Sequence, residues 1–274
     1  MKRFCQNAML LLIGMYLAFV APSEGYAASA VSWSATTKAG WDKLVADADA
    51  ARAAKLKSMA AELASLQQQE ASLDARIQSA HDANAKETDA VRQRIKTINA
   101  AKLSAMATQT KQVRSRNQPI LDQYTKLNKQ ISTARSLGSK TIRSALQTEA
   151  NLLKPLVQIA RDNIRNQTAA EKSLKDATSK TAKTIRATLA GADSSKKQIA
   201  AEKKSVTSNK ASISSSMKTF NQAVKKKDPA GASSSLSSIL SYYRQLNGHK
   251  EKIYGHERDI AAILVKAKGQ FPAS

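Results

Sequence analysis

Apolar side chains recur along this chain at intervals of three, four and seven, and nowhere in the sustained alternation of a strand. From Trp41 onward, Leu56, Met59, Leu63, Leu66, Leu73 and Ile77 line one face of a helix, and Glu70 fills the single vacant place on it. A polar stretch from His81 to Asp89 follows. The pattern resumes at Val91, Ile95, Ile98, Met106 and Val113 with its phase moved by about one position. Neither glycine nor proline interrupts the polar stretch, so the spacing predicts one continuous helix with a weak patch in it.

Asn117-Gln118-Pro119 is the first punctuation, because proline lacks the donor of the preceding turn and suits a helix start. A break is expected there, which makes the first helix run from Thr37 to Asn117. The seam continues through Leu121, Tyr124, Leu127 and Ile131 and returns at Ile142, Leu146, Leu153 and Leu156, with Gly138 and Pro155 as points where it bends. Thr168-Ala-Ala-Glu171 matches a capping box, the mark of a new helix or of an exposed turn. Leu174, Ile185 and Leu189 carry the seam to Gly191-Ala192-Asp193-Ser194, where a helix-ending glycine precedes good N-cap residues and predicts a hairpin. Beyond it Ile199, Val206, Ile213 and Phe220 repeat every seven residues, Met217 and Val224 fill the alternate series, and Lys203 and Lys210 take seam places. Asp228-Pro229-Ala230-Gly231 ends that helix, and Leu236, Ile239, Tyr243, Leu246, Ile253, Ile260 and Leu264 build the last.

The expected fold is therefore all-α: an elongated antiparallel helical bundle or coiled coil of about four long helices. Residues 37–190 form one long helical hairpin, 191–268 a C-terminal hairpin, and 269–274 a tail. With 4% aromatic residues, 9 Gly and 5 Pro, the chain has the material for narrow seams rather than for a thick core.

The first thirty residues read differently. Lys2 and Arg3 precede an apolar run from Ala8 to Ala21, and Pro22-Ser23-Glu24-Gly25 lead into small residues. The run falls short of the ~20 residues that cross a bilayer. It predicts a secretory signal over 1–27, cut between Ala27 and Ala28, with 28–36 as a flexible segment. Cys5, the one cysteine, precedes the apolar run, so the exported chain would carry no thiol for disulfides, metal ligation or nucleophilic attack.

Charge narrows the choice of partner. Forty-four Lys and Arg against 21 Asp and Glu give a net charge of +23, a field that attracts polyanions. Between Asp42 and Arg76 the signs nearly cancel. Between Lys196 and Lys227 nine lysines face one acid, Glu202. The expected contacts are Lys196, Lys197, Lys203, Lys204, Lys225, Lys226 and Lys227, with a second basic stretch of Arg92, Arg94, Lys96, Lys111, Arg114 and Arg116. Outside a cell the abundant polyanions are acidic envelope polymers and anionic membrane surfaces, and these rank above nucleic acid. Only Phe220 lies among the lysines, where single-strand binding interleaves many aromatic side chains. Self-association through the seams, or a protein partner, is a further expected interaction.

No pattern specifies a reaction. His249 and His256 stand near Glu251, Glu257 and Asp259, but residues seven apart on a helix are about 10 Å apart along its axis, too far to share one metal ion. No Gly-x-Ser-x-Gly turn and no phosphate-binding glycine loop occurs. No catalytic residue, cofactor or metal is assigned. The expected role is an exported, non-enzymatic, basic coiled-coil protein of the cell envelope or extracellular space. The alternative is an extracytoplasmic holdase, which in charge and helical style resembles the Skp-type periplasmic chaperones; their strand-rich trimerisation body has no counterpart in this sequence. A helical pore-forming toxin component ranks third, because Leu152 to Ala160, the longest greasy stretch past the signal, is interrupted by Lys154 and Pro155.

Overall fold

A computed structural model describes residues 33–272; the expected signal sequence with its cleavage point at Ala27 and Ala28 lies outside the described residues. The protein is an all-α helical bundle. Its helices are α1 (Ala35–Asp47), α2 (Ala50–Lys96), α3 (Ala100–Ser136), α4 (Lys140–Ala190), α5 (Ala192–Lys225) and α6 (Pro229–Gly269). The chain divides into two compact units, one drawn from the residues up to Asp74 with Lys204–Lys250, the other from Ala75–Lys203 with the residues after Lys250.

In the first unit α1 packs its one apolar face onto the longer helices. Ser34 caps its N-terminus by accepting from the Thr37 N–H at 3.2 Å. Trp41, Leu44 and Val45 join Leu56, Leu63, Phe220, Val224, Leu236, Ile239 and Leu240 in one continuous core. Trp33, Trp41 and Phe220 pack against one another edge-on or tilted with centroids 4.8 to 5.8 Å apart, so three of the chain's few aromatic rings serve a single cluster. Gly40 lets α1 approach α5, since a Cβ there would lie 2.7 Å from Val224 Cγ1.

Polar side chains set the register between α2 and α6 in this unit. Arg244 pairs with Glu62, Asn247 Nδ2 donates to the Leu66 carbonyl at 2.9 Å, and Lys250 Nζ reaches Glu70 at 2.8 Å. The numbers rise together, so α2 and α6 run in the same direction. Lys250 is buried and also contacts Asp74 at 2.6 Å, while Lys210 of α5 approaches Glu70 at 3.6 Å. The glutamate at an apolar seam position is thus matched by a buried lysine on the facing helix. The α5–α6 turn closes where Asp228 was expected to end α5: Lys227 takes φ 53°, and Asp228 Oδ1 accepts from the N–H groups of Ala230 and Gly231.

In the second unit α3 and α4 form an antiparallel hairpin. Asn99 Nδ2 donates to Thr178 Oγ1 at 2.9 Å and Gln167 Nε2 contacts Met106 Sδ at 3.0 Å. The tip is Leu137-Gly138-Ser139. Gly138 adopts φ +71°, and the Ser139 N–H returns to the Ala134 carbonyl at 3.1 Å, a left-handed helix stop. Leu127, Ile131 and Ala150 form a small core there, supported by Tyr124, Leu146 and Leu153.

Several expected boundaries are corrected. Pro119 breaks nothing and lies inside α3. It is exposed, so the carbonyl that loses its partner faces water, and Asn117 Nδ2 bonds back to the Val113 carbonyl at 2.7 Å one turn earlier. Pro155 likewise lies exposed inside α4. The helix expected from Thr37 to Asn117 is three helices, interrupted at Ala48-Asp49 and at Thr97-Ile98-Asn99, where Asn99 occupies the left-handed region at φ 54°. Asparagine tolerates that conformation, which is why a sequence without Gly or Pro turns there. The Thr168–Glu171 pattern lies in the middle of α4 and starts no helix. Gly191 makes no hairpin either: its φ of −58° and ψ of −25° are right-handed helical, and Arg186, Leu189, Asp193 and Lys196 keep one face toward α2 across it. Residues 81–89, in contrast, form the uninterrupted helix expected of them.

Candidate polyanion groove

Two adjoining grooves lie on the second unit, built by the last turns of α2 and α4, the first turns of α5 and the flank of α6. One has a volume of about 480 Å³. Its cations are Arg92 and Lys96 from α2, Arg186 from α4 and Lys196 from α5, over a floor of Ile95, Leu189 and Leu264. The helical period explains the convergence. Arg92 and Lys96 are four residues apart on one face of α2, and the face of α4 and α5 that meets them carries Arg186 and Lys196.

The two acids at the groove, Asp89 and Asp193, are each tied to a cation on their own helix: Arg92 at 3.6 Å and Lys196 at 3.4 Å. These are exposed i,i+3 pairs, worth a few tenths of a kcal/mol. They leave the local balance positive, since Lys96 and Arg186 have no carboxylate within ion-pair distance among the described residues. The aliphatic floor is an apolar wall beneath the charges, and such walls strengthen the field in a cleft.

The second groove, about 400 Å³, shares Arg92 and Lys196 and adds Lys203. Its floor holds a buried polar layer. Asn84 Nδ2 donates to Glu257 Oε2 and to the Glu257 carbonyl, both at 2.8 Å, and His81 Nδ1 lies 2.9 Å from Glu257 Oε1. The stretch expected as a weak patch is therefore a seam layer with its hydrogen bonds satisfied.

The cations expected from sequence separate into three groups. Arg92, Lys96, Lys196 and Lys203 meet at the grooves. Arg94 lies over the Phe271 ring at 4.3 Å, Lys197 is exposed on α5 outside the lining, and Arg114 and Arg116 sit farther along α3, with Arg114 on Thr168 Oγ1 at 3.3 Å. Lys204, Lys225, Lys226 and Lys227 belong to the first unit, where Lys227 pairs with Asp47 at 3.1 Å. Arg186 was missed. The signal was a run of its own, Lys180, Lys183 and Arg186 spaced by threes with no acid among them.

α6 stays helical through Gly248 and Gly255, so His249 and His256 remain two turns apart, and among the described residues no three His, Cys, Asp or Glu side chains gather as a metal site. Tyr243 joins the first unit's core and accepts from Gln67 Nε2 at 3.3 Å, and Tyr254 lies under the Arg76 guanidinium at 4.2 Å. No helix among the described residues is long and apolar enough to cross a membrane. The chain matches no model of a known protein family, no curated protein and no solved structure.

Proposed function

We propose that this is an exported, non-catalytic helical protein that binds acidic polymers of the cell envelope or extracellular space through the cationic groove of its second unit. The observation that carries the reading is the meeting of Arg92, Lys96, Arg186 and Lys196, from three helices, around one cleft. A uniform solvated charge has no need of such a meeting. The apolar seams maintain the scaffold, and the groove holds a phosphate- or carboxylate-bearing chain by charge and by the donors of two guanidinium groups. Export follows from the Lys2-Arg3 start, the apolar run from Ala8 to Ala21 and the small residues around Ala27, and it selects envelope polymers over nucleic acid.

Binding of the full chain to fluorescent polyphosphate across a salt series tests this. Replacing Arg92, Lys96, Arg186 and Lys196 together by Glu is expected to weaken binding at least about a hundredfold at low salt and to flatten its salt dependence. Replacing Lys225, Lys226 and Lys227 by Glu is expected to cost far less. Equal losses from the two variants would mean a diffuse field without a site. Fractionation of the native culture tests location: release from wall or surface by moderate salt is expected, and a cytoplasmic pool would overturn the export reading.

A further inference from the structure

The α3–α4 hairpin carries an apolar surface that neither helix covers. Leu152 is 73% exposed, Ile142, Leu156 and Ile159 are each about half exposed, and Leu137 at the tip is 76% exposed. Residues 152, 156 and 159 have the spacing of one helical face, and Ile142, nearer the tip, lies about 80° round the helix from Leu152. The neighbouring face of α4, with Ala150, Leu153, Val157 and Ala160, is the one turned toward α3. α4 therefore has two apolar faces side by side, and the hairpin occupies one. It is also the most amphipathic of the helices among the described residues. Single exposed apolar residues are ordinary, but three aligned on one helix, with a fourth beside their line, mark a contact surface.

Charge selects the occupant. Between Ile120 and Arg165 the cations are Lys126, Lys129, Arg135, Lys140, Arg143, Lys154, Arg161 and Arg165, against Asp122, Glu149 and Asp162. A second copy of this hairpin would bring the same excess of positive charge against itself. An anionic bilayer surface supplies both of the missing partners, head groups for the cations and an acyl boundary for the leucines and isoleucines. We infer that the α3–α4 hairpin docks on anionic membranes through Ile142, Leu152, Leu156 and Ile159, lying in the interface without crossing it. Lys154 and Pro155 interrupt the greasiest stretch of α4, which suits a helix that rests at the boundary. This site is separate from the Arg92–Lys196 groove and stands or falls independently of it.

The test is a local one, so that the N-terminal apolar run does not obscure it. In the full chain with Cys5→Ser, an environment-sensitive fluorophore is attached through Leu152→Cys or, as the control on a different face of α4, through Gln158→Cys. Phosphatidylglycerol vesicles are expected to raise and blue-shift the emission at position 152 and to leave position 158 nearly unchanged; phosphatidylcholine vesicles are expected to do neither. In the unlabelled chain, Leu152→Glu with Leu156→Glu and Ile159→Glu changes only exposed positions. It is expected to keep its helical circular dichroism and its polyphosphate binding while losing about tenfold or more in affinity for anionic vesicles. No response at position 152, or equal responses at both positions, would overturn the proposal. So would a response without lipid that grows with protein concentration, the signature of a second copy, or one that needs an unfolded client, the signature of a holdase.

Discussion

The aromatic core around Phe220 and the small core around Ile131 are both made by helices with a heptad-like apolar period, yet they bury their residues very differently. In the first unit α1, α2, α5 and α6 surround one cluster, and Phe220, Leu44, Leu56, Leu63, Leu236, Ile239 and Leu246 are essentially out of reach of water. In the α3–α4 hairpin two helices meet along a single seam, whose buried residues include Leu127, Ile131 and Ala134 of α3 and Ala150, Val157 and Ala160 of α4. Apolar area removed from water scales the hydrophobic contribution. The comparison teaches that equal periodicity does not mean equal stability: a third and a fourth helix turn a stripe into a core, and a pair leaves α4 with a free apolar face.

The largest expected effect follows from this contrast. Phe220→Ala should cost about 3–5 kcal/mol, because it opens a cavity between two tryptophans in a site that cannot collapse. Ile131→Ala should cost about 2 kcal/mol or less, since its site has solvent beside it. Urea unfolding checks both. Trp33 and Trp41, the chain's two tryptophans, both belong to the first unit, so their fluorescence follows that unit while circular dichroism follows every helix. Non-coincident transitions are expected, with the tryptophan signal the later; a larger loss from Ile131→Ala would break the comparison.

The next effect separates buried from exposed polar contacts within the first unit. Lys250 is 3% exposed and serves Glu70 and Asp74 together, whereas the Arg244–Glu62 pair stands half in water. Lys250→Ala leaves Asp74 without its partner and Glu70 with only the more distant Lys210, and should destabilise by about 3 kcal/mol, with little change on adding salt. Arg244→Ala should cost about 1 kcal/mol or less, and salt should erase the difference. Melting temperatures of both variants at low and high salt decide it, and a salt-sensitive Lys250 effect would mean the site is wetter than its geometry.

How much of this was legible follows from where the forces act. Helix identity, the heptads of α5 and the seam of α6 are local consequences of side-chain period and stood open in the sequence. So, with a longer window, does the register: Leu56, Leu63, Glu70, Ile77, Asn84, Val91 and Ile98 are spaced by sevens, as are Leu236, Tyr243, Lys250, Glu257 and Leu264. The two polar insertions in each series face each other, Glu70 with Lys250 and Asn84 with Glu257. What was not legible depended on orientation toward water. Pro119 and Gly191 carry strong local signals for a break, and both are overridden because the faces that hold the seams continue past them. Asn99 carries a weak signal, yet the helix is interrupted there. The groove was half legible: Arg92, Lys96 and Lys196 lie in visible basic runs, but their meeting with Arg186 is a product of helix pairing, which charge counting does not see.

The smallest effect probes how a thin seam is held. With little apolar area between them, α3 and α4 are joined by polar contacts, among them the one between Thr110 of α3 and Glu171 of α4. The Glu171 carboxyl is held below its ordinary value of 4.5, first by its hydrogen bond to Lys175, 2.6 Å away, and next by that to Thr110. A carboxyl with a depressed folded value stabilises the folded state above its unfolded value and loses that contribution as pH falls through the folded one. The hairpin should therefore loosen slightly below about pH 4.5, and Glu171→Gln should remove that part of the pH dependence by giving up the same small contribution at neutral pH, where the carboxylate is ionised. Amide exchange at Thr110 and its neighbours, compared between the two chains from pH 6 down to about pH 3, reads the effect where it acts. If acid loosens both chains equally, the tie across the seam lies elsewhere, and the hairpin depends on its apolar contacts, among them Leu127, Ile131, Ala150, Val157 and Ala160.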